Sequence, residues 1–124
     1  MKLFIADDNI PYRQRLATVL ADIEGIEIAG VADTVSGAIS SIGTVRPDAV
    51  ILDIHMKDGS GFDILHAVRS MLSVPVVIML TVGPRNEYQA SSYAAGADYF
   101  FDKAGDIKKL IRVLRHLVKI QHAK

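Results

Sequence analysis

Five short apolar runs recur along the chain: Leu3-Phe4-Ile5-Ala6, Ile26 to Ala32, Ala49-Val50-Ile51-Leu52, Val76 to Leu80 and Tyr99-Phe100-Phe101. Most are rich in β-branched or aromatic residues, and their unbroken apolar character predicts strands buried on both faces. Between them the apolar spacing turns helical. Leu16, Val19, Leu20 and Ile23 follow the i, i+3, i+4, i+7 rule, and so do Val35, Ala38, Ile39 and Ile42. Ile64, Leu65, Val68, Met71 and Leu72 repeat the pattern. Ile107, Leu110, Ile111, Leu114, Leu117 and Val118 carry it furthest. The stretch Pro84 to Ala95 offers only Tyr88 and Tyr93 as large apolar residues, which predicts a loosely held helix that shifts cheaply.

Punctuation residues agree with this division. Asp8 or Asn9 is placed to cap the first helix, with Pro11 in its first turn and Gly25 to end it. Asp33 or Thr34 opens the second helix, and Pro47 lies beyond it. Strand and helix thus alternate five times, with connections too short for anything but right-handed crossovers. The expected architecture is α/β: a doubly wound, five-stranded parallel sheet with helices on both faces. No repeat or linker divides the chain, so one domain is expected over residues 1–124.

Composition narrows the chemistry. The chain has no cysteine, which excludes disulfides, thiolate catalysis and Cys-ligated metal centres. Fourteen basic residues balance fourteen acidic ones, so no global field favours nucleic acid or an anionic membrane. The run Val74 to Leu80 is too short to span a bilayer, and Met1 to Ile5 lacks the long apolar region of a signal peptide, so a cytoplasmic location is expected. The balance hides an asymmetry: residues 1–63 carry ten acids and five bases, while residues 107–124 carry six bases and no acid. A solvated helix face accounts for that basic end.

In doubly wound sheets, ligands bind beyond the carboxyl ends of the strands. Asp7 and Asp8 follow the first strand, Asp53 ends the third, Thr81 the fourth and Lys103 the fifth. With strand order 2-1-3-4-5 and strands about 4.8 Å apart, these groups converge on one pocket. Three carboxylates this close repel one another, and an oxygen-only ligand set suits Mg²⁺. A hydroxyl from Thr81 and an ammonium from Lys103 complete a holder for a phosphoryl group on Asp53, the nucleophile.

At these residues the chain resembles the receiver domains of two-component response regulators, including chemotaxis regulators, over nearly its whole length. The resemblance is carried by Ile5-Ala6-Asp7-Asp8-Asn9, Val50 to Met56, Gly61, Met79-Leu80-Thr81, Gly96-Ala97-Asp98-Tyr99 and Phe101-Asp102-Lys103, in that order. It implies the flavodoxin-like (βα)5 fold, and the strand order above is partly inherited from it. It also implies that Asp53 accepts phosphate from a histidine kinase or a phosphotransfer protein. Mg²⁺ would be bound by Asp8, Asp53 and the backbone carbonyl of His55, with Asp7 assisting. Thr81 and Lys103 would contact the phosphoryl oxygens, and Tyr99 would be the rotating aromatic of the switch. The helix 84–95, the strand 98–102 and the last helix would then form a partner-binding face, with a homodimer through 84–120 as one use of it. Such a chain is a regulatory phosphoacceptor, catalysing only its own phosphorylation and dephosphorylation. It acts on a downstream protein or an output domain that this chain lacks.

Three positions depart from the family pattern. Lys57 and Ala104 stand where proline is usual, and Val82 follows Thr81 where a small residue is usual. His55 occupies a variable position beside the acceptor. Rival readings fare worse. An FMN-binding module of the same fold wants a Gly/Ser/Thr-rich phosphate cradle, and Asp7-Asp8-Asn9 would repel a phosphate there. An acid-nucleophile phosphatase would show an early Asp-x-Asp-x-Thr pattern, which Asp7-Asp8-Asn9-Ile10-Pro11 lacks. A receiver-like docking module that is never phosphorylated differs from the main reading only by experiment.

Overall fold

A computed structural model describes residues 1–83 and 85–123. The elements run β1 (Lys2–Ala6), α1 (Ile10–Ala21), β2 (Glu27–Ala32), α2 (Val35–Val45), β3 (Ala49–Leu52), β4 (His55–Met56), β5 (Gly59–Ser60), α3 (Gly61–Arg69), β6 (Val76–Thr81), α4 (Arg85–Ala94), β7 (Tyr99–Asp102) and α5 (Ile107–His122). The main sheet is parallel with order β2-β1-β3-β6-β7, the expected order once the small β4–β5 hairpin is set aside. That antiparallel hairpin, between β3 and α3, carries no apolar run, and the hydrophobic pattern does not predict it.

Strand alternation splits the core into two layers. Phe4, Val50, Leu52, Val77 and Met79 point to the side packed by Ala38 and Ile42 of α2 and by Ile64, Leu65 and Val68 of α3. Leu3, Ile5, Ile51, Ile78 and Leu80 point to the other side, against Leu16 and Leu20 of α1 and Leu110 and Leu114 of α5. The central strands β1, β3 and β6 are therefore buried on both faces, as their sequences require. The expectation fails for β2: an edge strand, it is covered only in part, and Val31 is exposed.

Several helix boundaries need correction. Asn9, not Asp8, caps α1 by accepting the Tyr12 N–H at 3.1 Å. The helix stops at Ala21, and Gly25 (φ +90°) serves the later turn into β2. Thr34 caps α2. Leu72 lies past the end of α3 and is fully exposed, because helical spacing has no meaning once the helix has stopped. Val19 is also exposed, on the outer face of α1. In the stretch read as a loose helix, Pro84 lies outside the described residues, and Ser92 alone among the described α4 residues is fully buried. An ion pair joins the start of α4 to the residue before α5, Arg85 Nη1 to Asp106 Oδ2 at 2.6 Å. The basic residues Lys108, Lys109, Arg112, Arg115 and Lys119 are exposed along α5, as a solvated face should be. No helix among the described residues is long and apolar enough to cross a membrane.

One side chain extends the β6–β7 ladder at its start. Asp98 Oδ2 accepts the Val77 N–H at 2.8 Å while its own N–H donates to the Val77 carbonyl at 2.9 Å. Removing the carboxylate leaves the amide of a fully buried residue without its acceptor, which costs about 1–3 kcal/mol. Asp98→Ala is thus expected to lower the stability read from urea unfolding by that amount, with the slope unchanged. Asp98→Asn, which keeps a side-chain oxygen, should lose much less.

Candidate functional site

Parallel strands of similar length end at one level, so residues just past β1, β3, β6 and β7 meet above the sheet. Asp53 is 5% exposed and both of its oxygens are engaged. Oδ1 accepts the Thr81 hydroxyl at 2.7 Å and the His55 N–H at 3.1 Å, and Oδ2 accepts Lys103 Nζ at 2.9 Å. The same ammonium lies 2.7 Å from Asp7 Oδ2. Asp7 Oδ1 accepts the Asn9 N–H at 2.9 Å, so the loop before α1 is folded around it. Asp8 is half-buried, and oxygens of Asp7, Asp8 and Asp53 lie within 4.8 Å of one another. This donor set is all oxygen and strongly anionic, which fits a hard divalent cation such as Mg²⁺.

Charge and burial pull against each other here. Burial pushes Asp7 above its ordinary value of 3.8; hydrogen bonds from Lys103 and Asn9 oppose that, while the charge of Asp53 adds to it. Burial alone would lower Lys103 from 10.5, but its bonds to Asp53 and Asp7 outweigh that and carry it upward. Lys103 is therefore a cation at neutral pH. Its Nζ stands 4.2 Å from the centre of the Tyr12 ring. Tyr12 is a site residue that the motif pattern does not single out. Its signal is positional: the first turn of α1 faces the strand ends.

The loop that follows Asp53 is held by a close backbone approach. Gly61 donates its N–H to the Ile54 carbonyl at 2.9 Å, and a Cβ at Gly61 would overlap the Asp53 carbonyl oxygen. Only glycine fits. Of the residues singled out in the sequence, Asp7, Asp8, Asp53, Thr81 and Lys103 come together, and the His55 backbone joins them. The His55 ring borders the cluster, with Nε2 3.3 Å from the Val82 carbonyl, which the Thr81 hydroxyl also approaches at 3.5 Å, and lies edge-on to Tyr88 of α4. Tyr99 stays outside the cluster. It pairs with Ile78, three residues before Thr81, and its half-buried ring stacks on Phe101 at 6.2 Å. No peptide bond among the described residues is cis, so the Lys103–Ala104 bond is trans.

The raised Asp7 fixes a sign for pH. A carboxyl that binds its proton more tightly in the folded state favours folding at low pH, and that contribution is lost as pH rises through its folded value. Without metal, Asp7→Asn is expected to unfold at higher temperature than the parent at pH 7. Its advantage should shrink on acidification and vanish below 3.8, where Asp7 is protonated in both states. A constant difference across that range would contradict the raised value.

A family model for the response regulator receiver domain matches residues 3–115. Sensory transduction protein LytT of Bacillus cereus is 28% identical over 96% of this chain and 48% of its own length. A protein-glutamate methylesterase/protein-glutamine glutaminase of Carboxydothermus hydrogenoformans is 35% identical over 96% of this chain and 35% of its own. The chain thus spans half or less of these curated relatives. Among solved structures, the signal receiver domain of a DNA-binding response regulator from Colwellia psychrerythraea aligns with TM-score 0.87 at 25% identity, covering 96% of this chain and 98% of that one. A LuxR-family DNA-binding response regulator from Staphylococcus aureus aligns with TM-score 0.86 at 26% identity, covering 94% and 98%. With this sheet order and an acidic cluster at its strand ends, the chain belongs to the response regulator receiver domain family of two-component systems.

Proposed function

We propose that the chain is a phosphoacceptor whose aspartate is Asp53, phosphorylated by a histidine kinase or a phosphotransfer protein in the cytoplasm. The observation that supports this most is that both Asp53 oxygens are bound by different groups, Thr81 and Lys103, beside two further carboxylates. An Asp53 oxygen attacks phosphorus, a P–O bond forms, and the P–N bond to the donor histidine breaks with its electron pair leaving on nitrogen. Mg²⁺ would be held by Asp7, Asp8, Asp53 and the backbone carbonyl of His55, and would supply positive charge to the phosphoryl oxygens. Lys103, already a cation at the acceptor, supplies a second positive charge there, and the Thr81 hydroxyl supplies a donor.

Output follows from what Thr81 gives up. A phosphoryl group adds about −1.5 to −2 charges, and it draws Thr81 from its present bond to Asp53 toward the new oxygens. Tyr99 then turns into the space beside β6. Helix α4 shifts at little cost, because it buries only Ser92 fully among its described residues. A partner reading α4, β7 and α5 senses Asp53 without touching it. That partner is a downstream protein or an output domain outside this chain, and a homodimer through this face is another use of the same surface.

Incubation with a small phosphodonor and Mg²⁺ tests the assignment. Intact mass should rise by one phosphate in the parent and not at all in Asp53→Asn, whose carboxamide is a poor nucleophile. Labelling of the mutant to parental extent moves the acceptor elsewhere. No labelling of the parent leaves a docking module that is never phosphorylated. Val82→Ala is expected to shorten the acyl-phosphate lifetime, since Val82 adjoins Thr81 and its removal admits water. In amide spectra, phosphorylation should move Thr81, Tyr99 and residues 85–94. A silent 85–94 segment refutes the coupling even where Asp53 is right.

A further inference from the structure

The tip of the β4–β5 hairpin is fastened to a helix far away in sequence. Asp58 Oδ1 accepts the Val35 N–H at 2.5 Å, and Oδ2 accepts the N–H of Ser36 at 3.3 Å and its hydroxyl at 3.2 Å. Thr34 Oγ1 accepts the Gly37 N–H at 3.0 Å. The first three amides of α2, which have no partner inside the helix, are thus served jointly by its own cap residue and by the hairpin. The neighbouring pair Lys57–Asp33, at 3.1 Å, is largely solvent-exposed and adds little.

At its other end the same hairpin enters the acceptor site. His55 donates its N–H to Asp53 Oδ1, and Met56 is buried against the core. The hairpin pairs only His55 with Ser60 and Met56 with Gly59, far too little for independent stability. Its turn, Lys57-Asp58, contains no proline to restrict φ. Its conformation therefore depends on what holds its ends: at one, the core, Asp53 and the start of α3, where the Ser60 N–H donates to Asp63 Oδ2 at 2.9 Å and Gly61 meets Ile54; at the other, α2.

We propose that Asp58 is a positioning residue of the acceptor site, capping α2 so that the hairpin keeps the His55 backbone against Asp53. This rests on the phosphoacceptor reading of Asp53. Asp58 itself touches neither Asp53 nor the phosphoryl group. Its effect passes along the backbone from Asp58 to His55, and it makes the first turn of α2 part of the frame on which the acceptor is built.

The experiment compares the parent, Asp58→Ala, Asp58→Asn, Val35→Ala and Val35→Pro, reading amide hydrogen exchange at His55 and Mg²⁺ affinity by calorimetry. Asp58→Ala should speed exchange at His55 and weaken Mg²⁺ binding about tenfold, at the low end for outer partners of metal sites. Asp58→Asn keeps an acceptor oxygen and should restore part of both. Val35→Ala, which trims the same buried side chain beside Gly59 but keeps the amide, is the control for Val35→Pro, which removes the donor at the first helical position, where proline fits after the extended backbone of Thr34. Beyond any effect of that control, Val35→Pro should reproduce Asp58→Ala, and it decides the matter where Asp58→Ala does not fold. Parental exchange at His55 or parental Mg²⁺ affinity in folded Asp58→Ala, or a Val35→Pro no different from Val35→Ala, overturns the proposal and leaves Asp58 as a helix cap alone. Should the parent bind no Mg²⁺ and take no phosphate, the phosphoacceptor reading fails, while the exchange comparison still decides the tether.

Discussion

Lys103 places one ammonium 2.7 Å from Asp7 and 2.9 Å from Asp53, and the arrangement of the strand ends depends on it. Two carboxylates this buried cannot both stay charged without a cation between them. The lysine just past the last strand of the sheet reaches across β6 to provide it, over the face of Tyr12. The pairing holds β1, β3 and β7 to one another at the carboxyl ends of the strands. It also poises the site: a divalent cation or a phosphoryl group that enters must redistribute this one shared charge.

Around that centre the structure is graded in firmness. Gly61 and the Ile54 carbonyl fix the loop after Asp53, and Asp58 ties the hairpin to α2. Helix α4 stands at the other extreme. It is held by the ion pair of Arg85 with Asp106, by Tyr88 against the core and His55, and by little buried surface. Asp106 also accepts the Asp102 N–H, which with Arg85 keeps its carboxyl below the ordinary value. A firmly held aspartate cluster beside a lightly fastened helix is the combination the proposed two-state signal needs, since only a few kcal/mol need separate the states.

Much of this is legible in the amino-acid sequence. Continuous apolar runs mark β1, β3 and β6 because both faces of a central strand are covered, and the same logic misjudges β2 because position in the sheet is not written locally. The five charged and hydroxyl residues of the site are legible because strand C-termini are fixed by the pattern and polar residues there stand out. The hairpin is not, since four residues of pairing leave no periodic trace. Neither are Tyr12 and Asp58: one is an aromatic in a helix and the other an acid in a turn, and both acquire meaning only from partners remote in sequence.

The central claim is that, among three carboxylates within 4.8 Å, Asp53 alone is the acceptor. Reduction of the phosphorylated protein with borohydride, followed by peptide mapping, marks the phosphorylated carboxyl directly. Aspartyl phosphate is converted to homoserine, while free carboxylates are untouched. The account predicts homoserine at position 53 and aspartate retained at 7 and 8. Homoserine at position 7 or 8, or at no position in a protein that carries the phosphate mass, contradicts it.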